Sequence, residues 1–472
     1  MTGVLLAAGL MMVPVRETGL PLQDPLGWWL YMNGTASSEM LPQVLPAVGS
    51  GLFSTTTAEG IHRGPLGEIL RRSLPPGGLE DGSTGMALTG TAAGEVLVDD
   101  GELETRTGGT GRIYVSILPG LFLEERLSLW AGSDEQPPDY FSPFHQGMEK
   151  GRHLYVDWGY LRWDGGVVAA SLGRMPQRWG PGRFNQLLLS DNSPPLDMLK
   201  LELRLFEDRL AFTGLTATVD SDSGTYLVSH RLDLSPSANL RIGFSESVLF
   251  KAEGLDLAYM NPLIPWYPVQ WNERVDDNAF MCLDASWKPV TDLELYGELL
   301  IDDIQYENEA DRPNKLGMTA GVSVYVSPLS MGSVLEYTRI DRYVYSQRES
   351  HNYYLHHGDI IGSGLGPDAD VLTLSLGTAA VWPLLTEVTV DHTRHGEGTV
   401  QEGWPDSAST GGEFPSGIVE HSTGARLHIG CYPLDFMEVH ATAGNEWVRN
   451  EGHVTGVSDS RFSSSLELFL VF

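Results

Sequence analysis

The residues best suited to chemistry in this sequence are those that could recognise a sugar. They concentrate in residues 178–195, RWGPGRFNQLLLSDNSPP. Aromatic rings stack on the apolar face of a sugar, while amide, carboxylate and guanidinium groups bond its hydroxyls. The stretch holds all of these types, and its candidate contacts are Arg178, Trp179, Arg183, Asn185, Gln186, Asp191 and Asn192. The pattern predicts a carbohydrate-binding loop.

The same stretch also has a structural interpretation, which we favour over direct sugar contact. Glycine and proline at three consecutive positions predict a defined turn: Gly180, Pro181 and Gly182. Asp191 and Asn192 precede two prolines and suit the start of another turn. Three apolar residues follow the first turn: Leu187, Leu188 and Leu189. We expect these leucines to plug the loop against the protein interior.

Two further loops carry side chains of the same kinds. The first offers Trp266, Tyr267, Gln270 and Trp271, and the second offers His356, His357 and Asp359. Packing or interfacial anchoring is an equally good interpretation of the aromatic residues. The adjacent histidines are expected to point to opposite faces, which makes them a poor pair for a metal.

Metal and cofactor binding have weak support. Asp302 and Asp303 could contribute to a divalent cation site, but hard ions need several oxygen ligands and a single segment supplies too few. The two cysteines, Cys282 and Cys431, lie far apart and form no zinc-binding spacing. We therefore expect no cofactor, with a divalent cation as the open alternative.

Catalysis also has little support. The sequence contains no GxSxG, HExxH or P-loop motif, and no GxGxxG in a suitable context. Ser, His and Asp residues are merely abundant. The protein is therefore not expected to be an enzyme, and an outer-membrane hydrolase is the weakest of three functional hypotheses.

The charge of the chain excludes some partners. Lys and Arg number 30 against 62 Asp and Glu, a formal net charge of −32. Nucleic-acid binding requires clustered Lys and Arg, so it is not expected. Electrostatic attraction to an anionic membrane surface is disfavoured for the same reason. Cations and neutral sugars remain compatible partners.

The elements that would position these residues are β-strands. The segment LKLELRLF places Leu199, Leu201 and Leu203 on one face and Lys200 and Glu202 on the other. The segment TDLELYGELLID repeats this alternation over residues 291–302. A period of two with one apolar and one polar face is typical of a strand between two different environments.

The connections between the strands alternate in length. Short, proline-rich turns occur near residues 118–121, 234–239, 287–292, 326–331, 382–387 and 432–436. Long loops fall near residues 132–152, 177–197, 251–277, 346–369 and 396–421. About 18 strands, with short turns at one end and long loops at the other, predict an all-β, antiparallel transmembrane β-barrel. A soluble sandwich, propeller or β-helix is less consistent, since no fixed repeat is present.

Aromatic residues near the strand ends fit the same fold, because Trp and Tyr favour the membrane interface. Those near short turns are Trp287, Trp382 and Tyr432, and those near long loops are Trp130 and Trp447.

The chain is expected to have three parts. Residues 1–15 resemble part of a signal peptide but lack a preceding Lys or Arg. Residues 16–85 contain apolar residues at helical spacing before Pro75 and Pro76, which predicts a small, partly helical periplasmic cap or plug. Residues 86–472 would form the barrel, with both termini periplasmic.

Four segments of the sequence resemble the Wzi-type capsule assembly family of outer-membrane proteins. They are GRMPQRWGPGRFNQLLLSDNSPP (173–195), LAYMNPLIPW (257–266), GELLIDDIQ (297–305) and HHGDIIGSGLGPDAD (356–370). The first is the specific one, and the order of the four extends the resemblance over most of the chain after residue 86. The resemblance implies an 18-stranded barrel, a periplasmic helical segment and lectin-like binding without catalysis. The N-terminal region and several loops match no family motif.

Our first functional hypothesis is a monomeric outer-membrane barrel that binds surface polysaccharide through extracellular loops and contacts lipid with its outer face. The alternative is a cation-preferring porin whose lumen is lined by carboxylates. An outer-membrane hydrolase is the third hypothesis.

Overall fold

The computed structural model describes residues 85–99, 102–132, 152–252, 259, 261, 264–266, 277–290, 292–304, 314–326, 331–378, 380–381, 383–403, 413–434 and 436–471. The segment predicted at residues 1–15 lies outside the described residues. So does the segment predicted at residues 16–85, except for Gly85, which begins the first strand.

The described residues form one closed antiparallel β-barrel of 18 strands. Its strands in chain order are β1 Gly85–Asp99, β2 Glu102–Leu118, β3 Leu121–Gly132, β4 Arg152–Asp164, β5 Val168–Met175, β6 Leu196–Leu205, β7 Leu210–Asp220, β8 Thr225–Ser237, β9 Leu240–Lys251, β10 Asn278–Val290, β11 Leu293–Asp303, β12 Lys315–Val326, β13 Met331–Ile340, β16 Ala369–Thr378, β17 Leu384–His395, β18 Glu420–Leu434, β19 Met437–Arg449 and β20 Ser458–Val471. A small hairpin, β14 Leu355–His356 and β15 Asp359–Ile360, lies in the loop after β13. Two short 3-10 helices span Ser350–Asn352 and Glu451–His453.

Closure of the barrel is made by its first and last strands. β1 pairs with β2 on one side and with β20 on the other, where Thr91 lies opposite Val471 and Asp99 opposite Ser463. Closure leaves no strand edge with unpaired backbone groups, as a spanning sheet requires. Among the described residues, no helix has the length and apolar character needed to cross a membrane.

The alternation predicted from the sequence separates the two faces of the wall. On β6, Leu199 and Leu201 are exposed on the outside while Lys200 is buried inside. On β11, Leu295 and Leu299 point outward, and the carboxylates of that strand point into the lumen. The outer face is therefore largely apolar and the inner face polar.

The two ends of the barrel differ in the length of their connections. One end, called the short-turn end below, carries residues 119–120, 165–167, 206–209, 238–239, 292, 380–381, 383 and 436. The other, the long-loop end, includes residues 176–195, 341–368, 396–403 and 413–419. β1 begins and β20 ends at the short-turn end.

The predicted aromatic residues fall on both faces of the barrel. Trp287 and Trp447 are exposed on the outer face, near the short-turn end and the long-loop end respectively. Tyr432 was expected at the membrane interface, but this prediction is wrong because its position on β18 directs it inward. There it is 1% exposed and meets the His440 ring edge-on at 5.7 Å. Trp382 and the side chain of Trp130 lie outside the described residues.

Candidate functional site

The connection between β5 and β6, residues 176–195, folds into the barrel and is called the inner loop below. Its leucines Leu187, Leu188 and Leu189 are at most 1% exposed and share one apolar cluster with Trp179. The barrel side of that cluster comes from inward-facing residues near the long-loop end: Leu196, Met198, Leu215, Leu227, Leu249 and Phe280. Burying three leucines removes apolar surface from water and holds the loop inside the lumen.

Two lumen carboxylates hold the backbone of the inner loop. Glu298 on β11 accepts hydrogen bonds from the amides of Gly182 at 2.7 Å and Leu187 at 3.0 Å. Glu298 is 4% exposed, so the loop amides replace the water that a carboxylate would otherwise keep.

Glu336 on β13 plays the same role for the middle of the turn. It accepts bonds from the amides of Arg183 at 2.5 Å, Phe184 at 3.1 Å and Asn185 at 3.0 Å. The Tyr296 hydroxyl donates a further bond at 2.8 Å. Glu336 therefore accepts three hydrogen bonds from the backbone of the inner loop, against two accepted by Glu298.

The glycines of the inner loop are required by its close approach to Glu298. Gly180 has φ +104°, and a Cβ placed on it would lie 2.4 Å from Glu298 Oε1. A Cβ on Gly182 would lie 2.3 Å from the carbonyl oxygen of Asn185. Any larger residue at either position would collide with the anchor or with the turn itself.

The loop between β13 and β16, residues 341–368, lies over the inner loop and is called the cover loop. The hydroxyls of Tyr345 and Tyr354 donate to the carbonyls of Leu187 at 2.6 Å and Leu188 at 3.0 Å. The amide of Ser190 donates to the carbonyl of Ile361 at 3.0 Å. The two loops therefore form one packed unit at the long-loop end of the lumen.

The sugar-contact candidates of the inner loop are mostly engaged within the protein. Arg178 donates to the carbonyl of Arg183 at 2.7 Å, and the Arg183 side chain pairs with Glu294 at 2.7 Å. Asn185 Oδ1 accepts a bond from Ser363 Oγ at 2.9 Å, and Asn192 Nδ2 donates to the carbonyl of Ile360 at 2.9 Å.

Two more candidates of this loop are buried. Trp179 is 2% exposed and Gln186 is 1% exposed. The Gln186 side chain donates to the carbonyl of Gly182. Asp191 is exposed. Among the seven candidates of the inner loop, Asp191 is therefore the exposed one.

The second predicted sugar loop places its described tryptophan in a packing role. Trp266 is 1% exposed and stacks on His230 with ring centroids 4.2 Å apart. Its backbone amide donates to Glu246 at 2.9 Å. Tyr267, Gln270 and Trp271 lie outside the described residues.

The two histidines of the cover loop do not diverge as predicted. The rings of His356 and His357 lie 4.4 Å apart. His357 has φ +51° at the turn of the β14–β15 hairpin, so the alternation of an extended strand does not apply there. His356 is buried with Nδ1 2.8 Å from the carbonyl of Val219, whereas His357 is exposed.

The weak metal candidates lie at the end of β11, where the strand has a bulge. Asp302 is buried, pairs with Lys315 at 2.7 Å and accepts the amide of Tyr345 at 2.7 Å. Asp303 follows it at a β-bulge and lies opposite Lys315 in the strand register. Within the described residues, no group of three or more His, Cys, Asp or Glu side chains surrounds a possible ion position.

Sequence reasoning missed a surface that joins the cover loop to residues 396–403, which we call the mouth patch: Arg342, Tyr343, Tyr353, Gln401 and Glu402. Arg342 Nε donates to Glu402 at 2.8 Å, and its guanidinium lies 5.2 Å from the Tyr343 ring. The Tyr353 hydroxyl donates to the carbonyl of Gln401 at 3.1 Å. The side chains of Arg342, Tyr343 and Tyr353 are half-buried, so each keeps a face in solvent.

The backbone of the mouth patch is strained. Tyr343 has φ +71°, in the left-handed region that a bulky residue seldom adopts. Such conformations cost free energy and concentrate at ligand-binding sites. In the sequence the mouth patch is marked by an Arg-Tyr pair directly after a strand. That pattern is too common to identify a binding site on its own.

The buried histidine of the cover loop gives a pH prediction. Burial, reinforced by neighbouring His357, lowers the pKa of His356 from 6.5 to about 4. When the β14–β15 hairpin opens and exposes His356, the imidazole regains its usual pKa and binds a proton below pH 6.5. The closed hairpin is therefore most stable above pH 6.5 and loses stability as the pH falls towards 4. The loss approaches about 3 kcal/mol.

We expect the protection factor of the Ile361 amide, which bonds the carbonyl of Tyr354, to fall across this window in hydrogen-exchange measurements. The variant His356→Asn keeps a donor near Nδ1 and should lose most of the pH dependence. An equal fall in the variant would contradict the assignment.

The comparisons with known proteins concern both the family and the fold. The sequence model of the family "Capsule assembly protein Wzi" matches residues 80–460. A search of curated protein sequences finds no match. A solved structure of similar fold is Wzi of Escherichia coli, described as an outer membrane protein involved in group 1 capsule assembly and as a carbohydrate-binding β-barrel. It is 12% identical with a TM-score of 0.60, over 95% of this chain and 99% of that one.

A second similar structure is OccK1 (OpdK) of Pseudomonas aeruginosa, an outer membrane protein. It is 12% identical with a TM-score of 0.50, over 82% of this chain and 98% of that one. At such identities the two structures support the fold alone.

Proposed function

Because the chain belongs to the Wzi capsule assembly protein family, we propose that it binds or organises capsular polysaccharide or exopolysaccharide at the bacterial surface. The protein is a monomeric outer-membrane barrel that acts through its loops and catalyses no reaction. The family match carries this proposal, and the 18-stranded barrel with an apolar outer face supports the membrane location.

The long-loop end is extracellular in this proposal, and both ends of the barrel sequence are periplasmic. Short turns on the periplasmic side and longer loops outside are the usual arrangement of outer-membrane barrels. The outer face contacts lipid through rows of leucine and valine, including Leu335, Leu374 and Val390.

The polysaccharide binds at the mouth patch rather than deep in the lumen. Most candidates of the inner loop are already bonded within the protein. Arg342 is also paired, with Glu402, but 36% of its side chain stays in solvent, and the ring of Tyr343 beside it is half-buried. A tyrosine ring suits the apolar face of a sugar, and a guanidinium suits its hydroxyls or carboxylate. Asp191 and His357 are also exposed at the long-loop end and offer further polar contacts.

The inner loop acts as a lid that seals the lumen beneath this surface. Its apolar cluster and its anchors on Glu298 and Glu336 keep it closed. The second candidate function is a cation-preferring channel. It is favoured by carboxylates on β17, β19 and β20 that point into the lumen: Glu387, Asp391, Glu446 and Glu467. Any bound divalent cation would be held by oxygen atoms of this kind.

Deleting the gene and measuring retained against shed surface polysaccharide tests the proposal. We expect the polymer to shift from the cell fraction to the medium and the wild-type gene to restore retention. A gene encoding Arg342→Gln with Tyr343→Asn should restore it poorly, since asparagine tolerates the left-handed backbone but lacks the ring. Unchanged retention in the deletion strain would contradict the proposed function.

A further inference from the structure

The outer face of β13 and β16–β19 carries a row of ionic side chains at the long-loop end. Its members lie directly opposite one another on neighbouring strands: Arg339, Asp370, Arg394, His421 and Arg449. They share a face with exposed apolar residues further along the same strands, including Leu335, Leu372 and Val390. The row therefore points away from the lumen. We call it the outer arginine row.

The residues next to this row, on the side of the barrel middle, are those of a membrane interface. They are Tyr337, Leu372, His392, Thr423 and Trp447, again opposite one another on successive strands. Trp447 is 51% exposed, and the next positions towards the middle are apolar on four of the five strands: Leu335, Leu374, Val390 and Ala425, with Asn445 on β19. Amphipathic rings mark the depth at which hydrocarbon gives way to headgroups. The outer arginine row thus lies on the headgroup side of that boundary.

The row has an excess of positive charge in a strongly acidic protein. Arg339 pairs with Asp341 at 2.9 Å, and Arg394 pairs with Asp370 through two hydrogen bonds. Arg449 is exposed and pairs with no carboxylate among the described residues. Arg339, Arg394 and Arg449 against Asp341 and Asp370 leave one net positive charge on this face. His392 and His421 lie beside them, although the whole chain carries a net charge of −32.

We propose that the outer arginine row binds the phosphate-bearing headgroup of a lipid in the leaflet at the long-loop end. Guanidinium groups bind phosphate through paired hydrogen bonds, and arginine stems extend along apolar surface while their heads reach the headgroup layer. Arg394 and Arg449 are two strands apart, or roughly 10 Å, so long side chains from both can reach one headgroup.

The acidic composition predicted that the chain is not attracted to an anionic membrane. The outer arginine row is an exception to that prediction on one face of the barrel. It rests on the membrane location in the proposed function but not on polysaccharide binding. The lipid would fix the depth and rotation of this side of the barrel. That side carries the ends of both loops that form the mouth patch.

Native mass spectrometry of the detergent-solubilised full-length protein tests the proposal. The probes are a bis-phosphorylated glycolipid with saturated acyl chains and the same lipid after phosphatase treatment. We expect the phosphorylated form to bind at least about tenfold more tightly. The variant Arg394→Gln with Arg449→Gln should lose most of this preference.

The matched control is Arg174→Gln on β5. Arg174 lies on the same outer face near the long-loop end. Within the described part of the chain its ion-pair partner is Asp197 at 2.8 Å, so that pair has no net charge. We expect this variant to bind like the wild type. Heat-dependent electrophoretic migration verifies that each barrel is folded.

Three results would each overturn the assignment: equal binding of both lipids, unchanged binding in the double variant, or equal loss in the Arg174 variant. Polysaccharide retention is measured in parallel. A loss of polysaccharide retention with unchanged lipid binding would contradict only the proposed function of the loops. A loss of lipid binding with unchanged retention would bear only on the outer arginine row.

Discussion

Replacing Glu336 by alanine is expected to open the lumen. The change leaves the amides of Arg183, Phe184 and Asn185, and the hydroxyl of Tyr296, without their shared acceptor. An orphaned buried donor costs about 1–3 kcal/mol, so the closed inner loop should lose at least about 3 kcal/mol, or roughly a hundredfold in population. Single-channel recording in planar bilayers should show frequent openings that the wild type lacks.

The matched control for this variant is Glu387→Ala on β17. Glu387 is another inward carboxylate, but it accepts from Ser375 and Thr389 rather than from the inner loop. Removing the Glu387 carboxylate should leave the current of the closed channel unchanged. Openings of equal frequency in both variants would contradict the anchoring role of Glu336, and free conduction by the wild type would favour the channel function.

Replacing Leu188 by aspartate should expel the inner loop. Leu188 is 1% exposed within the apolar cluster. A carboxyl group there must be buried without partners or drive the loop outward, at a cost of at least about 3 kcal/mol. The bond after Arg183, which is 6% exposed in the folded protein, then becomes accessible to trypsin. Cleavage should accelerate by roughly a hundredfold, because proteolysis follows the open population.

The control for this experiment is Asp191→Asn in the same loop. Asp191 is exposed, so this change should leave the cleavage rate at the wild-type value. Resistance of the Leu188→Asp protein to trypsin would show that the leucines do not hold the loop in place.

The barrel could be predicted from the sequence because its signals are local. Alternation on β6 and β11 assigns each residue to one face, and the contrast between short and long connections fixes the up-and-down topology. The predicted strand number is confirmed at 18, and the resemblance to the Wzi-type family is confirmed by the match over residues 80–460.

The site was less predictable because its contacts are distant in the chain. Arg183 and Glu336 are 153 positions apart, and nothing local to either residue indicates that they meet. Trp266 has the composition of a sugar-binding residue, yet its burial on His230 depends on the loop path. His356 and His357 were predicted to diverge because a turn residue with positive φ was treated as part of an extended strand.

The sequence also does not show which charged residues are neutralised inside the barrel. Arg231 and Asp284 form a buried pair at 2.6 Å inside the barrel, and other lumen arginines are neutralised in the same way. Such cations contribute nothing to an external ligand. The long-loop end differs, because Arg449 has no carboxylate partner among the described residues and Arg342, although paired with Glu402, keeps 36% of its side chain in solvent.

The most direct test of polysaccharide binding is titration calorimetry of the purified barrel with surface polysaccharide from the same cells. We expect saturable binding that Arg342→Gln with Tyr343→Asn weakens at least about tenfold, because a few central aromatic and arginine residues carry most of a binding energy. Arg209→Gln, at the exposed short-turn end, should bind like the wild type. Absence of binding by the wild-type barrel, or equal affinity in all three proteins, would contradict the account.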